Sequence, residues 1–154
     1  MTEQITLEIH AEASGLIRAR RQQIWQAVAD PNHRPNLKSF RPLAGVWPEE
    51  CASICTVVDK GSFEMSRTET VIRCVPEERL VVKIQAPQWG STAWLDHRIE
   101  PAGEAWRLTI GVIATATFPE GSGTLTRNDY AALTLEGLQT AVELYRKQVE
   151  GETQ

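Results

Sequence analysis

The sequence predicts an α+β domain: an antiparallel sheet of about seven strands curved around one long C-terminal helix, with one or two short helices after the first strand. Three observations point there. From Tyr130 to Val149 the apolar residues Ala131, Leu135, Leu138, Val142, Tyr145 and Val149 recur at alternating steps of four and three, which places them on one helical face. Thr134, Gly137, Ala141 and Leu144 widen the uncharged arc to roughly half the circumference at ~100° per residue, which suits a helix enclosed by a curved sheet. Ahead of that helix, strand-like runs are separated by short turn signals, so neighbours pair antiparallel.

In the first strand Ile5, Leu7, Ile9 and Ala11 alternate with Thr6, Glu8, His10 and Glu12, and Ser14 and Gly15 are expected to bend or bulge it before Leu16 and Ile17 resume. A short helix follows over residues 20–29, with Ile24, Trp25, Val28 and Ala29 on one face. Asp30 ends it, because a residue preceding proline avoids helical geometry. Another helical turn fits between Pro31 and Lys38, shortened by Pro35. Strands are then expected at 43–47, 52–59, 63–75, 79–85, 91–100 and 106–118. Their turns carry Pro48, Lys60 with Gly61, Pro76, Pro87 with Gly90, and Pro101 with Gly103. Pro119 to Gly123 break the pattern, and Thr126 to Asp129 resemble a capping box with Asp in place of Glu. No repeat or boundary divides residues 1–154, which read as one domain.

Composition narrows the function classes. The 154 residues are 42% apolar and 23% charged with a formal net charge of -4, an ordinary soluble balance that argues against nucleic acid as a partner. Arg18, Arg20 and Arg21 form one basic run, read as a solvated face. No stretch approaches the ~20 apolar residues of a membrane span, and the N-terminus lacks a signal-peptide layout, so the expected compartment is the cytoplasm. Cys51, Cys55 and Cys74 are an odd count, read as small buried hydrophobes. No Cys/His spacing supplies a metal site, and neither a G-x-S-x-G motif nor a phosphate-cradling glycine loop is present; no cofactor is expected.

Several segments carry a family resemblance. Residues 17–31, IRARRQQIWQAVADP, match an "I-x-A-x-x-x-x-(V/I)-W … D-P" pattern, 75–80, VPEERL, match a "P-x-x-x-L" hairpin, and HRIEP at 97–101 precedes WRLT at 106–109. In this order they resemble the START-like helix-grip superfamily, also called SRPBCC, over nearly the whole chain. Residues 103–108, GEAWRL, depart from the "G-T-R-(V/L)" signature usual there. The resemblance implies a seven-stranded antiparallel sheet wrapped round the C-terminal helix and enclosing an apolar cavity. Lipid carriers, plant hormone receptors, aromatic polyketide cyclases and heat-shock ATPase activators share that architecture, so fold alone does not choose among them.

Strand parity nominates the cavity wall. Ile110, Val112 and Ala114 share the inner face of the last strand, and Leu95 and His97 that of the strand before it, opposite Trp94, Asp96 and Arg98. Thr134, Gly137, Leu138, Ala141 and Tyr145 face them from the helix; Tyr130 could also present a hydroxyl. Gly137 and Ala141 fit two readings equally, close helix-on-sheet packing or space for a ligand. In strand 63–75 keeping charge outside turns Ser66, Thr68, Thr70 and Ile72 inward, whereas the opposite phase would carry Arg67, Glu69 and Arg73 in with Met65, Val71 and Val75 unless a bulge resets it. Trp47 and Trp89 are placed at the cavity mouth, and an exposed Trp94 would mark a homodimer or partner contact. His97 is the best candidate for a functional polar group, as ligand partner or general acid/base, against a purely structural histidine. Three functions follow: a carrier or sensor for a small hydrophobic or aromatic molecule, a polyketide cyclase/dehydratase-like enzyme, or a chaperone-ATPase-activator-like module.

Overall fold

The computed structural model describes residues 4–34, 37–59, 64–87, 91–119 and 127–152. Alternating sequence lays down strands β1 (Gln4–Ile17), β2 (Leu37–Ala44), β3 (Ser53–Asp59), β4 (Glu64–Val75), β5 (Arg79–Ala86), β6 (Ser91–Ala102) and β7 (Ala105–Pro119). Helix α1 (Arg21–Ala29) and a 3-10 turn (Pro31–His33) link β1 to β2, and helix α2 (Arg127–Glu152) closes the chain. One sheet contains all seven strands in the order β1-β7-β6-β5-β4-β3-β2, every pair antiparallel. The first strand thus returns beside the last, while α1 carries the chain across to the opposite edge.

Six of the seven expected strands lie close to where the sequence places them, and the second, expected at 43–47, is displaced to Leu37–Ala44. β2 begins at Leu37, where a helical turn was expected to extend to Lys38, and ends before Trp47. It tolerates Pro42 because it is an edge strand, where a missing backbone N–H disrupts only one side. Ser14 and Gly15 neither bend nor bulge β1, whose pairing runs without interruption from Gln4↔Pro119 to Ile17↔Trp106. None of the cysteines is a buried hydrophobe: Cys51 is exposed in a turn and Cys55 and Cys74 are half-buried. The capping residue Thr126 and Trp89 fall outside the described residues, as do the side chains of Ala116, Phe118, Tyr130 and Ala131.

The position of α2 on the sheet determines the interior. Leu138, Val142, Tyr145 and Val149 are buried, as their four-and-three spacing requires. Val142 crosses β1 at Gly15, where a Cβ would come within 2.8 Å of Val142 Cγ1. Glycine is needed there for close approach, not for a bend. Further along, the Arg18 backbone N–H donates to Glu150 Oε1 at 3.0 Å and ties the helix C-terminus to the end of β1. Around that end Ile17, Ile24, Val28, Leu80, Leu108 and Val149 fill the core, with Trp25 and Trp106 packed against it.

Toward its N-terminus α2 leaves the sheet. Leu133 and Leu135 are 53% and 37% exposed, so Leu135 does not join the buried face that the periodicity assigns it. A Cβ at Gly137 would meet nothing within 4 Å. The close-packing reading of Gly137 therefore fails, and space lies beside it. Among the described residues no helix is long and apolar enough to cross a membrane.

These two glycines should respond oppositely to alanine. Gly137→Ala should gain about 1 kcal/mol from helix propensity alone, a thermal midpoint rise of roughly 2–4 °C. Gly15→Ala forces β1 and α2 apart and should lose about 1–3 kcal/mol. Thermal unfolding of the two variants checks this, and a destabilised Gly137→Ala would contradict the space seen beside that residue.

Candidate functional site

Where α2 diverges, a cleft of about 570 Å³ opens between helix and sheet. Its sheet wall is largely apolar: Val82, Ile84 and Ala86 from β5, Ala93 and Leu95 from β6, and Ile110, Val112 and Ala114 from β7. The helix contributes Thr134, Gly137, Leu138, Thr140, Ala141, Leu144 and Tyr145. Asp59, Met65 and Ser91 lie at the strand ends nearest the N-terminus of α2, which makes that end the mouth.

The deep wall is charged. β4 turns Met65, Arg67, Glu69 and Val71 inward, and Glu69 is only 1% exposed. Arg34, just after the 3-10 turn, donates from Nη1 to both Glu69 carboxylate oxygens at 2.7 and 2.5 Å. Arg67 Nη2 donates to Glu69 Oε2 at 3.1 Å and Thr56 Oγ1 donates to the same oxygen at 2.7 Å. Arg67 Nε completes the circuit with a long contact of 3.5 Å to Thr56 Oγ1. Burial pushes the Glu69 carboxyl up, but Arg34 and Arg67, with the bonds from Arg34 and Thr56, outweigh it and hold it below the usual range. Arg34 is likewise raised, since Glu69 overcomes its desolvation. Arg67 goes the other way: burial, together with repulsion from Arg34, lowers it despite Glu69. Arg34 spans both carboxylate oxygens while Arg67 reaches Oε2 alone, so the geometry matches the carboxylate chiefly to Arg34 and leaves Arg67 as the excess cation.

Beside this cluster lie His97 and Tyr145. His97 Nδ1 is 3.2 Å from the Leu80 carbonyl oxygen, which can only accept, so Nδ1 carries the proton and Nε2 offers a lone pair. Desolvation depresses the imidazole to about 4, and the Leu80 bond offsets this only in part. Burial raises the Tyr145 phenol, which keeps its proton. At neutral pH the cleft therefore presents a neutral acceptor, a neutral donor and an ionic cluster.

The architecture has known counterparts. The di-domain ARO/CYC StfQ from the steffimycin biosynthetic pathway superimposes with a TM-score of 0.72 at 16% identity, covering 94% of this chain and 50% of that one. This chain spans about half of StfQ. Ara h 8.0201 matches with a TM-score of 0.65 at 11% identity over 94% of this chain and 97% of that one. The fold is the helix grip. A protein from Thermus thermophilus also shares it, with a TM-score of 0.70 and 16% identity over 94% of this chain and 99% of that one. No family model and no curated protein matches the sequence. At such identities the likeness carries the fold and no activity.

Within this helix grip, Leu95, His97, Ile110, Val112 and Ala114 line the cleft from the sheet, and Thr134, Gly137, Leu138, Ala141 and Tyr145 from the helix. Three nominated residues lie elsewhere. Trp47 sits beyond β2, where its Nε1 donates to the Ala29 carbonyl at 2.8 Å and pins the β2–β3 connection to the end of α1. Thr68 and Thr70 are on the outer face of β4, because keeping charge outside gave the wrong phase. A bulge between Val71 and Arg73 resets the strand afterwards, leaving Ile72 49% exposed and returning Arg73 to solvent. Arg67 and Glu69 were missed for the same reason, and with them their partners Thr56 on β3 and Arg34 after the 3-10 turn, which only the tertiary structure brings to them. A signal did exist: Arg67 and Glu69 share parity with Met65 and Val71, as opposite charges on one face of an apolar strand. Trp94 is half-buried on the convex face under Lys83, whose Nζ is 5.6 Å from the ring centroid. Around it, Arg79 pairs with Asp96 at 2.8 Å and Arg98 with Glu12 at 2.7 Å.

Two measurements probe the site without knowledge of a ligand. Glu69→Gln leaves two buried guanidiniums facing each other and should cost about 3–5 kcal/mol in denaturant unfolding. The second concerns His97, whose folded pKa lies below its unfolded value of 6.5. It contributes no pH dependence above that value, and stability should fall as pH drops from about 6.5 to about 4 because only the unfolded chain takes up the proton. The loss should reach up to about 3 kcal/mol, reduced by any water screening the ring. His97→Gln should flatten this window while leaving the steeper loss below about 4.5, where protonating Glu69 dismantles the ion cluster.

Proposed function

We propose that this protein binds a small hydrophobic or aromatic molecule in the cleft between the sheet and α2, as a carrier or sensor. The cleft itself supports this reading: in its lining Gly137 is an exposed mid-helix glycine with open space beside it, a choice that costs helix propensity and leaves the cleft unobstructed. The cleft's volume of about 570 Å³ and its mostly apolar wall suit a ligand that buries most of its surface. The free thiols at Cys51, Cys55 and Cys74 fit the cytoplasmic placement drawn from the sequence.

Proton-transfer chemistry of the cyclase kind has weaker support. A general acid or base works best with a pKa near the operating pH, and His97 lies at about 4. Its single proton is engaged by the Leu80 carbonyl, and Tyr145 is pushed away from neutrality. The interaction-module reading would use an external surface and gives the cleft no role, so the cleft lends it no support.

The test is binding of the neutral solvatochromic dye prodan, with native mass spectrometry of protein purified from cells as a second readout. Wild type should bind the dye with a blue-shifted emission. Gly137→Phe, which grows into the cleft, should weaken binding on the order of tenfold or more without lowering the thermal midpoint. Undiminished dye binding by Gly137→Phe would place the dye elsewhere and remove the cleft as the binding site.

A further inference from the structure

The deep wall of the cleft holds more positive charge than it neutralises. Arg34 and Arg67 face one carboxylate, Glu69, so the cluster carries a net charge of about +1 in a poorly solvated site. His97 and Tyr145 are neutral near pH 7 and add nothing to this balance. Asp59, the other acid in the lining, is exposed at the end of β3, where its charge acts on Lys38.

Hydrogen-bond capacity is unbalanced in the same sense. Glu69 already accepts from Arg34 at both oxygens, and from Thr56 and Arg67 at Oε2, which brings the carboxylate close to saturation. Arg34 uses only Nη1 for these bonds, so Nε and Nη2 have no acceptor among the described residues. Arg67 uses Nε and Nη2, which leaves Nη1 in the same position. Both side chains line the cleft and are only 15% and 17% exposed. These unused N–H groups are open to the cleft rather than sealed in the interior, and a guanidinium edge matches a carboxylate in plane and spacing.

We propose that the ligand is an amphipathic monoanion, an apolar or aromatic carboxylic acid whose carboxylate binds the unused edges of Arg34 and Arg67. This deepens the carrier reading and rests on it. The apolar body runs along Ile84, Ala93 and Val112 toward Gly137 and the mouth, while Tyr145 supplies a further donor beside the head group. A single negative charge restores neutrality, whereas a phosphate dianion would overshoot it. His97 offers a lone pair to a hydroxyl or N–H on the ligand and, being neutral, takes no share of the anion.

Displacement of cleft-bound prodan by a matched pair of neutral and anionic competitors tests this, using alkanoates of eight to fourteen carbons and 2-naphthoate against the corresponding primary amides. The best acid should bind wild type at least about tenfold more tightly than its amide. Arg67→Met and Arg67→Gln, which leave the balanced Arg34–Glu69 pair in place, should both abolish that preference while still binding prodan and the amides. Equal affinities of acid and amide, failure of every acid to displace the dye, or an acid preference that survives both Arg67 variants would overturn the anion proposal and leave the carrier reading standing. Absence of prodan binding to wild type would instead sink the carrier reading itself.

Discussion

The interior is governed by the place where Val142 of α2 meets the backbone of β1 at Gly15. A helix is a straight rod and the strands beneath it twist, so the two can lie in close contact over only part of their length. Contact at Gly15, reinforced by Glu150 on the Arg18 backbone N–H, fixes the C-terminal half of α2 to the sheet. The N-terminal half then stands away from it, Leu133 and Leu135 reach solvent, and the cleft beside Gly137 follows. The cleft is therefore a geometric consequence of one small residue in the right strand, and large residues withheld from the helix keep it open.

The charged wall obeys a different logic. A strand that buries Met65 and Val71 on one face also buries what lies between them, Arg67 and Glu69. Removing two such side chains from water is costly, and the loss is offset only by the bonds they make with each other, with Thr56, and with Arg34 from outside the strand. A core designed for stability alone would be better served by apolar residues at these positions. Retaining an ion cluster with one cation too many at the base of an otherwise apolar cleft is consistent with recognition of something polar that arrives there.

The environment of the cleft also limits its chemistry. Desolvation keeps His97 neutral and Tyr145 protonated, so both act as fixed hydrogen-bonding groups across the physiological range. Proteins with the same helix grip, StfQ among them, show how widely the architecture is distributed, but the side chains that would specify an activity are set independently of the backbone.

Much of this was legible in the sequence. Alternation in 5–11 and 106–114 and the four-and-three spacing of Leu138, Val142, Tyr145 and Val149 determine strands, helix and their apolar faces, because those periods belong to the backbone itself. With short turns between strands, they also determine an antiparallel meander closed by a helix. Which glycine marks contact and which marks space was decided only by the tertiary structure, since both read alike in one dimension. Gly15 looked like a bend and proved to be the point of closest approach; Gly137 looked equally suited to either role and proved to adjoin the cleft. The phase of β4 was settled the same way. A rule that charge stays outside is a statement about solvation, and Arg34, more than thirty residues distant in the chain, supplies the solvation of Glu69 in place of water.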